Sequence, residues 1–154
     1  MSRTRDIGSL VLLKQAFPNA TAIAGGTGDA TEIDGTSIRR TTLGSIPESC
    51  QVFLHGNATM QSGKTLTLAG NLQDSPNDSD WTDFGTPFTA AVVLTGASGG
   101  GTAELFEQKF DVDIRGADDY IRVQATPNMD ATDTDTAILG GVIVLGGGEV
   151  LPQA

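Results

Sequence analysis

Residues 64–72 read KTLTLAGNL, a segment in which apolar and polar side chains alternate. Leu66, Leu68 and Leu72 fall on one side of this pattern, and threonine and asparagine side chains fall on the other. An alternation with a period of two residues is typical of a β-strand that has one buried and one exposed face. We therefore predict a strand here, with the three leucines directed toward a core.

The same alternation recurs along the chain between turn-forming segments. The other predicted strands cover residues 49–55, 88–94, 104–114, 120–125 and 137–145, with shorter ones in the stretches 31–43 and 81–84. The segment 137–145, AILGGVIVL, is almost wholly apolar, as a strand buried on both faces would be. Together these segments predict an all-β domain, a sandwich or barrel of about eight strands.

The composition supports this fold class. The 154 residues include 20 Gly, only 5% are aromatic and 18% are charged. Such a chain, which is also rich in Thr and Ser, suits short strands joined by tight turns. A helical bundle would instead be rich in Ala, Leu, Glu and Lys. The length corresponds to one domain and is sufficient to bury a sizeable core.

The beginning of the chain lacks the regular alternation. Residues 17–19, FPN, interrupt the pattern, and residues 24–28, AGGTG, form a flexible segment. We therefore divide the chain into an N-terminal arm over residues 1–35, extended or partly helical, and a β-sandwich domain over residues 36–154.

The chain carries 9 basic and 19 acidic residues, which gives a formal net charge of −10. A surface this acidic repels phosphate backbones and anionic membrane surfaces, so we expect neither nucleic acid nor membrane as a partner. The arm is the exception, because Arg3, Arg5 and Lys14 are offset only by Asp6 within the first twenty residues. Such an arm suits an acidic partner, although a solvated terminus explains it equally well.

Cys50 is the only cysteine, which excludes an intrachain disulfide and a thiolate zinc cluster. We expect it to be a buried, unreactive thiol. The apolar run at residues 10–13 ends at Lys14 and is too short for the core of a signal peptide. We therefore expect a product of the cytoplasm, or one that leaves the cell by a route other than secretion.

Two motifs that suggest catalysis lack the surroundings that catalysis requires. Residues 58–65, ATMQSGKT, match a permissive phosphate-loop pattern, but Lys64 and Thr65 begin a strand where that motif needs a helix. His55 is the only histidine, and no Gly-x-Ser-x-Gly turn supplies a nucleophile for it. We therefore expect neither enzymatic activity nor a cofactor.

Acidic loops raise the question of a metal. Asp74, Asp78 and Asp80 fall close together, and carboxylate oxygens of this kind are ligands for calcium. The loop lacks the glycine and the glutamate of the helix–loop–helix calcium register. The alternative is an ordinary solvated loop, in which Asp side chains accept hydrogen bonds from backbone amides. We expect no metal, with these three residues as the candidates for calcium if one binds.

Four segments of the chain resemble the small capsid cement, or decoration, proteins of tailed bacteriophages. These segments are LTLAGNLQDS at residues 66–75, WTDFG at 81–85, YIRVQATP at 120–127 and TDTAILGGVIVLGG at 134–147. The resemblance covers roughly residues 49–148 and is one of texture and order more than of an invariant motif.

The resemblance implies a jelly-roll-like fold and a structural role without an active site. Such proteins assemble as homotrimers on the outer surface of the head, at three-fold or quasi-three-fold positions, and tie neighbouring copies of the major capsid protein together. The protein would then be made in the cytoplasm of a bacterial host and end in the virion. In this interpretation the capsid contacts include Arg3, Arg5, Lys14 and Phe17 of the arm.

A second hypothesis is a carbohydrate-binding jelly-roll module of a phage adhesion or tail structure. It would use the loops around Trp81 and Tyr120 for stacking on sugars and the Asp-rich loop for calcium. The low aromatic content counts against this hypothesis.

Overall fold

The computed structural model describes residues 7–130 and 134–148, which contain nine β-strands. The strands are β1 (Val11–Ile23), β2 (Ile33–Asp34), β3 (Ile38–Arg39), β4 (Ser49–Thr59), β5 (Thr65–Ser75), β6 (Thr82–Thr95), β7 (Ala103–Asp113), β8 (Tyr120–Met129) and β9 (Thr136–Gly146). Two single-turn 3-10 helices, Ile7–Ser9 and Arg40–Thr42, precede β1 and follow β3. The predicted all-β fold class is confirmed.

The strands form two antiparallel sheets that make a sandwich. The four-stranded sheet has the order β1-β9-β4-β7, and the five-stranded sheet has the order β2-β8-β5-β6 with β3 beside β2 on β8. Apart from the β5–β6 hairpin and the two short strands β2 and β3, each strand is followed by one in the opposite sheet. This is the strand order of a jelly roll, so the expected jelly-roll-like sandwich is confirmed.

The core lies between the two sheets, where the inward side chains of both pack together. The inward positions predicted from alternation are buried: Val52, Leu54, Leu66 and Leu68 are fully inaccessible to solvent. Cys50 is buried in the same layer, as expected, and its surroundings raise the pKa of the thiol to about 12, chiefly because burial disfavours the thiolate.

Several strands run through segments that the sequence indicates as loops. β6 includes Pro87, which lies in an irregular part of the pairing with β5, and β6 is an edge strand that needs no donor on its outer side. β8 continues through Pro127, beyond the point where its pairing with β2 ends at Ala125. At both positions the missing N–H of proline breaks no ladder, and so the strands extend further than predicted.

The prediction of an arm over residues 1–35 is wrong for its central part. Val11–Ile23 forms the edge strand β1, which pairs with β9 along its whole length. The register shifts between Phe17 and Ala20, so the chain absorbs Pro18 and Asn19 as an irregularity and continues as a strand. The sandwich therefore begins at β1 rather than at residue 36.

Buried charged groups close the two ends of the sandwich. At one end the guanidinium of Arg40 donates hydrogen bonds to the backbone carbonyls of Ala117, Asp118 and Pro47, and so joins two loops. Burial lowers the pKa of Arg40. At the other end the buried carboxylate of Asp135 accepts the backbone N–H of Gln61 at 3.0 Å.

Candidate functional site

The outer face of the four-stranded sheet exposes apolar side chains to solvent. Antiparallel pairing places Leu13 opposite Val144, and Phe53 opposite Val142, with their side chains directed away from the core. We call the outward side of β1, β9 and β4 the uncharged face. Its members include Leu13, Gln15, Thr21 and Ile23 on β1, Ile138, Val142 and Val144 on β9, and Gln51, Phe53, His55 and Asn57 on β4.

The uncharged face carries no formal charge in a protein of net charge −10. Strands β4 and β9 contain no Asp, Glu, Lys or Arg, and β1 contains only Lys14. Lys14 pairs with Ile143, whose side chain is buried, so Lys14 leaves the strand on the side of the core and reaches solvent at the edge of the sandwich. Negative charge is therefore concentrated elsewhere on the surface.

The apolar members of the uncharged face are open to solvent. Leu13 is 62% exposed and Ile138 is 41% exposed, while Val142, Val144 and Phe53 are half-buried. The prediction that residues 137–145 form a strand buried on both faces is therefore only half right. The inward side chains of β9 are buried, but nothing in the described chain covers its outward side. The sequence of β9 is typical of a strand buried on both faces, but only one of its faces is buried.

Charged residues return at β7, which borders the uncharged face. Glu107, Lys109, Asp111 and Asp113 alternate along its outward side, as the sequence predicts. Hydrogen bonds from Arg115 lower the pKa of Asp113 to about 2. Gln51 donates to Asp111 across the strand pair at 2.7 Å. The apolar surface thus has a polar rim on this side, with the exception of Leu105, which is 85% exposed.

One end of the uncharged face is recessed. A depression of about 610 Å³ lies there, between the start of β4 and the ends of β7 and β9. Val11 and Val144 form apolar parts of its wall, and Gln51, Asp111 and Arg115 form polar parts. A flat apolar surface with a recess at one end can accept a protruding side chain of another protein as well as a broad contact.

The residues predicted to contact a capsid have different places in the structure. Arg3 and Arg5 lie outside the described residues. Lys14 is exposed at the edge of the sandwich. Phe17 is fully buried, where its ring lies over Gly141 of β9, so its role as a surface contact is corrected to that of a core residue. The ring is packed inward because the register of β1 shifts between Gln15 and Phe17, so that Ala16 and Phe17 are both buried.

The candidates for calcium do not converge on one point, because Asp74 and Asp80 accept hydrogen bonds from different parts of the chain. Asp74 is buried and accepts the hydroxyl of Thr82 at 3.1 Å and the backbone N–H of Asp118 at 2.9 Å. Asp80 accepts the side-chain amide of Asn77 at 2.6 Å, and Asp78 has a left-handed backbone in the loop between them. In residues 7–130 and 134–148, no group of three or more His, Cys, Asp or Glu side chains has an arrangement that holds a metal ion.

The two rings expected to stack on sugars are covered by arginines. The guanidinium of Arg122 lies 4.5 Å from the ring centroid of Trp81, and that of Arg39 lies 5.4 Å from the ring centroid of Tyr120. Each ring therefore has one face engaged in a cation–π contact. His55 stands on the uncharged face beside the ring of Phe53, with 5.8 Å between the ring centroids.

Sequence alone does not identify the uncharged face. Two of the predicted strand segments that form it, residues 49–55 and 137–145, contain no charged residue in a strongly acidic chain, but residues 11–23 are not predicted as a strand. Which strands become neighbours depends on the topology, and only the pairing β1-β9-β4 brings these segments into one surface.

No protein-family model and no curated protein matches the chain. Solved structures do match. The PBSX exported protein XepA has 11% sequence identity and a TM-score of 0.51, over 97% of this chain and 41% of that one. The VP2 subviral particle of infectious bursal disease virus has 14% identity and a TM-score of 0.47, over 90% and 32%. Latent PorU from Porphyromonas gingivalis has 12% identity and a TM-score of 0.47, over 91% and 13%.

These chains are longer than this one, which spans about a third of VP2 and two fifths of XepA. At this level of identity the match to XepA shows the fold alone. Within the described residues, the structure contains no helix of the length and apolarity needed to cross a membrane.

Proposed function

We propose that the protein is a structural virion protein, a decoration protein that binds the outer surface of a tailed-bacteriophage head through the uncharged face. The observation that carries this proposal is β9, a strand that is apolar from Ala137 to Leu145 and whose outward side chains are covered by nothing in residues 7–130 and 134–148. Apolar surface of this kind is stabilised when a partner removes it from water. The partner in this proposal is the major capsid protein.

The charge distribution supports this orientation. Carboxylates lie at the rim of the uncharged face, on the opposite sheet and in the loops, so the uncharged face is the side that approaches an acidic protein surface with least repulsion. With this face on the shell, the polar side of the sandwich points to solvent. The sequence resemblance to cement proteins, over roughly residues 49–148, supports the same role independently.

The proposal includes assembly as a homotrimer at three-fold or quasi-three-fold positions of the head. Three linked copies bind several capsid subunits at once, and their avidity strengthens a contact that is weak for one copy. A closed three-fold ring has no free association surface left to extend into fibres. In this proposal the protein is made in the host cytoplasm, works without catalysis or cofactor, and has neither nucleic acid nor membrane as a partner.

Adding purified protein to heads that lack it tests the proposal, with the bound amount per head measured after sedimentation. The variant Leu13→Glu places a carboxylate on the uncharged face, at a side chain that is 62% exposed and contributes little to folding. We expect it to weaken head binding by at least about tenfold, as for a residue central to an interface.

The matched control is Val92→Glu, which makes the same kind of change at a side chain that is 58% exposed on the other sheet. We expect this variant to bind as the unmodified protein does. Equal losses in the two variants, or no loss in either, would contradict binding through the uncharged face. Circular dichroism and melting curves confirm that both variants fold.

The mass in solution tests the trimer separately. Three chains of 15.9 kDa give about 48 kDa in light scattering after size exclusion. A mass of one chain at all concentrations, together with binding to heads, would restrict trimer formation to the lattice of the shell.

A further inference from the structure

The outer face of the five-stranded sheet contains a cleft that the proposed function does not use. It has a volume of about 390 Å³ and lies over the middle of β5, where the pairing with β6 is irregular. Asn71 on β5 and Gln124 on β8 are directly opposite each other and line it. Glu32 and Asp83 also line the cleft, and Pro87 and Phe88 add an apolar part.

The two amide side chains have a fixed orientation. Asn71 and Gln124 are 8% and 4% exposed. Asn71 donates its Nδ2 to Asp83 at 2.6 Å, and Gln124 donates its Nε2 to Glu32 at 2.7 Å and to Asp34 at 2.6 Å. Since carboxylates only accept hydrogen bonds, the amide nitrogens must face them.

This orientation leaves acceptors without donors. The Oδ1 of Asn71 and the Oε1 of Gln124 accept no hydrogen bond from any residue in the described ranges. Both side chains are more than nine-tenths buried, and their oxygens meet water only where the cleft opens, since neither is among the fully buried atoms without a partner. A ligand that displaces this water must supply hydrogen-bond donors to both oxygens.

The charged groups that line the cleft are carboxylates. Asp34 forms an ion pair with Arg122 at 3.2 Å, but neither Glu32 nor Asp83 has a cationic partner among residues 7–130 and 134–148. Both carboxylates line the cleft beside the two amide oxygens. A ligand that is all donor and positively charged matches this combination better than a polyol, whose hydroxyls also need donors.

A positively charged group already lies next to the cleft, on the same face of the five-stranded sheet. The guanidinium of Arg122 donates to the Oε1 of Gln73 at 2.9 Å, pairs with Asp34 and lies over the ring of Trp81. Carboxylate, amide oxygen and apolar ring are thus a combination that accommodates a guanidinium on this sheet. The cleft beside Asn71 offers the same three elements, with Phe88 and Pro87 as the apolar part, and no cation in the described chain fills it.

We propose that this cleft binds the guanidinium of an arginine side chain presented by a partner protein, through Asp83, Glu32 and the carbonyl oxygens of Asn71 and Gln124. Arginine fits because its planar group has five donors, no acceptor and a permanent charge. The cleft lies on the sheet opposite the uncharged face, so it stays open when that face is covered. This inference stands independently of the head-binding proposal.

The test uses two small molecules of nearly the same shape. Arginine amide carries the guanidinium, and citrulline amide replaces it with a neutral ureido group that includes an acceptor. Each is titrated into the ¹⁵N-labelled protein at constant ionic strength and pH. We expect arginine amide to cause saturable shifts at the backbone amides of Gly70, Asn71 and Gln124, and citrulline amide to bind at least about tenfold more weakly, since hydrogen bonds to charged groups are the stronger ones.

Two variants locate the binding. Asp83→Asn keeps the shape of the side chain and removes its charge, and we expect it to weaken binding of arginine amide by about tenfold. Asp80→Asn removes the same charge from the neighbouring loop and serves as the control, with unchanged binding expected.

Three results would overturn the proposal: equal binding of the two amides, equal weakening by the two variants, or saturable shifts at the cleft with a neutral sugar or calcium but not with arginine amide. The spectra of the free variants show in the same experiment that each is folded.

Discussion

The two outer faces of the sandwich have the same backbone geometry and opposite chemistry. On the five-stranded sheet, polar side chains bond to one another across the strands: Arg122 to Gln73, Asn71 to Asp83 and Gln124 to Asp34. On the four-stranded sheet, β1, β9 and β4 place leucine, valine, isoleucine and phenylalanine in the same outward positions. On the first face the polar side chains hydrogen-bond to one another and are stable in water. The second face exposes apolar side chains and is stabilised when a partner covers it. This difference indicates which side of the molecule a partner covers.

The largest expected effect on the free energy of unfolding concerns β1, because this strand forms one edge of the uncharged face. Phe17→Ala removes a fully buried ring, and we expect it to lower the free energy of unfolding by about 3–5 kcal/mol. Leu13→Ala, on the exposed side of the same strand, should change it by less than about 0.5 kcal/mol. Urea unfolding measures both. A small effect of Phe17→Ala would show that β1 is not firmly part of the sandwich.

The next test asks whether the polar face is stabilised by its own side chains. Arg122 has a hydrogen bond, an ion pair and a ring contact, and its side chain is 18% exposed. We expect Arg122→Ala to lower the free energy of unfolding by about 1–3 kcal/mol. Gln51→Ala, which removes an exposed hydrogen bond between the uncharged face and β7, should cost less than about 0.5 kcal/mol. Similar values for the two variants would remove the distinction between the faces.

The smallest effect concerns the charged rim on β7. Arg115 holds the pKa of Asp113 at about 2, below the ordinary value for an aspartate of about 3.9. Since the pKa is lower in the folded state, this carboxylate adds stability above the unfolded pKa and loses that contribution as the pH falls through the folded value. We expect Arg115→Ala to return the pKa of Asp113 toward its ordinary range, as measured by carbon-13 NMR titration. An unchanged pKa in the variant would show that the pair does not form in solution.

Much of the fold could be predicted from the sequence, because alternation at residues 64–72 and 104–114 depends only on which face of a strand is buried. The arm over residues 1–35 was predicted wrongly since local signals dominated: Pro18 and Asn19 indicate a break, while the pairing of β1 with β9 depends on residues at the far end of the chain. The candidate site was missed for the same reason. Its side chains come from strands that are neighbours only in the folded sheet.

The insertion of β9 between β1 and β4 also governs how the molecule is made. Among the strands of this sheet β1 is synthesised first and β9 last, so β1 and β4 lack their common neighbour while residues 60–135 are synthesised. Such long-range pairing makes folding slow and exposes unpaired strand edges to other nascent chains. The four-stranded sheet therefore closes only after translation has reached Gly146, and a chain that ends earlier leaves the facing edges of β1 and β4 unpaired.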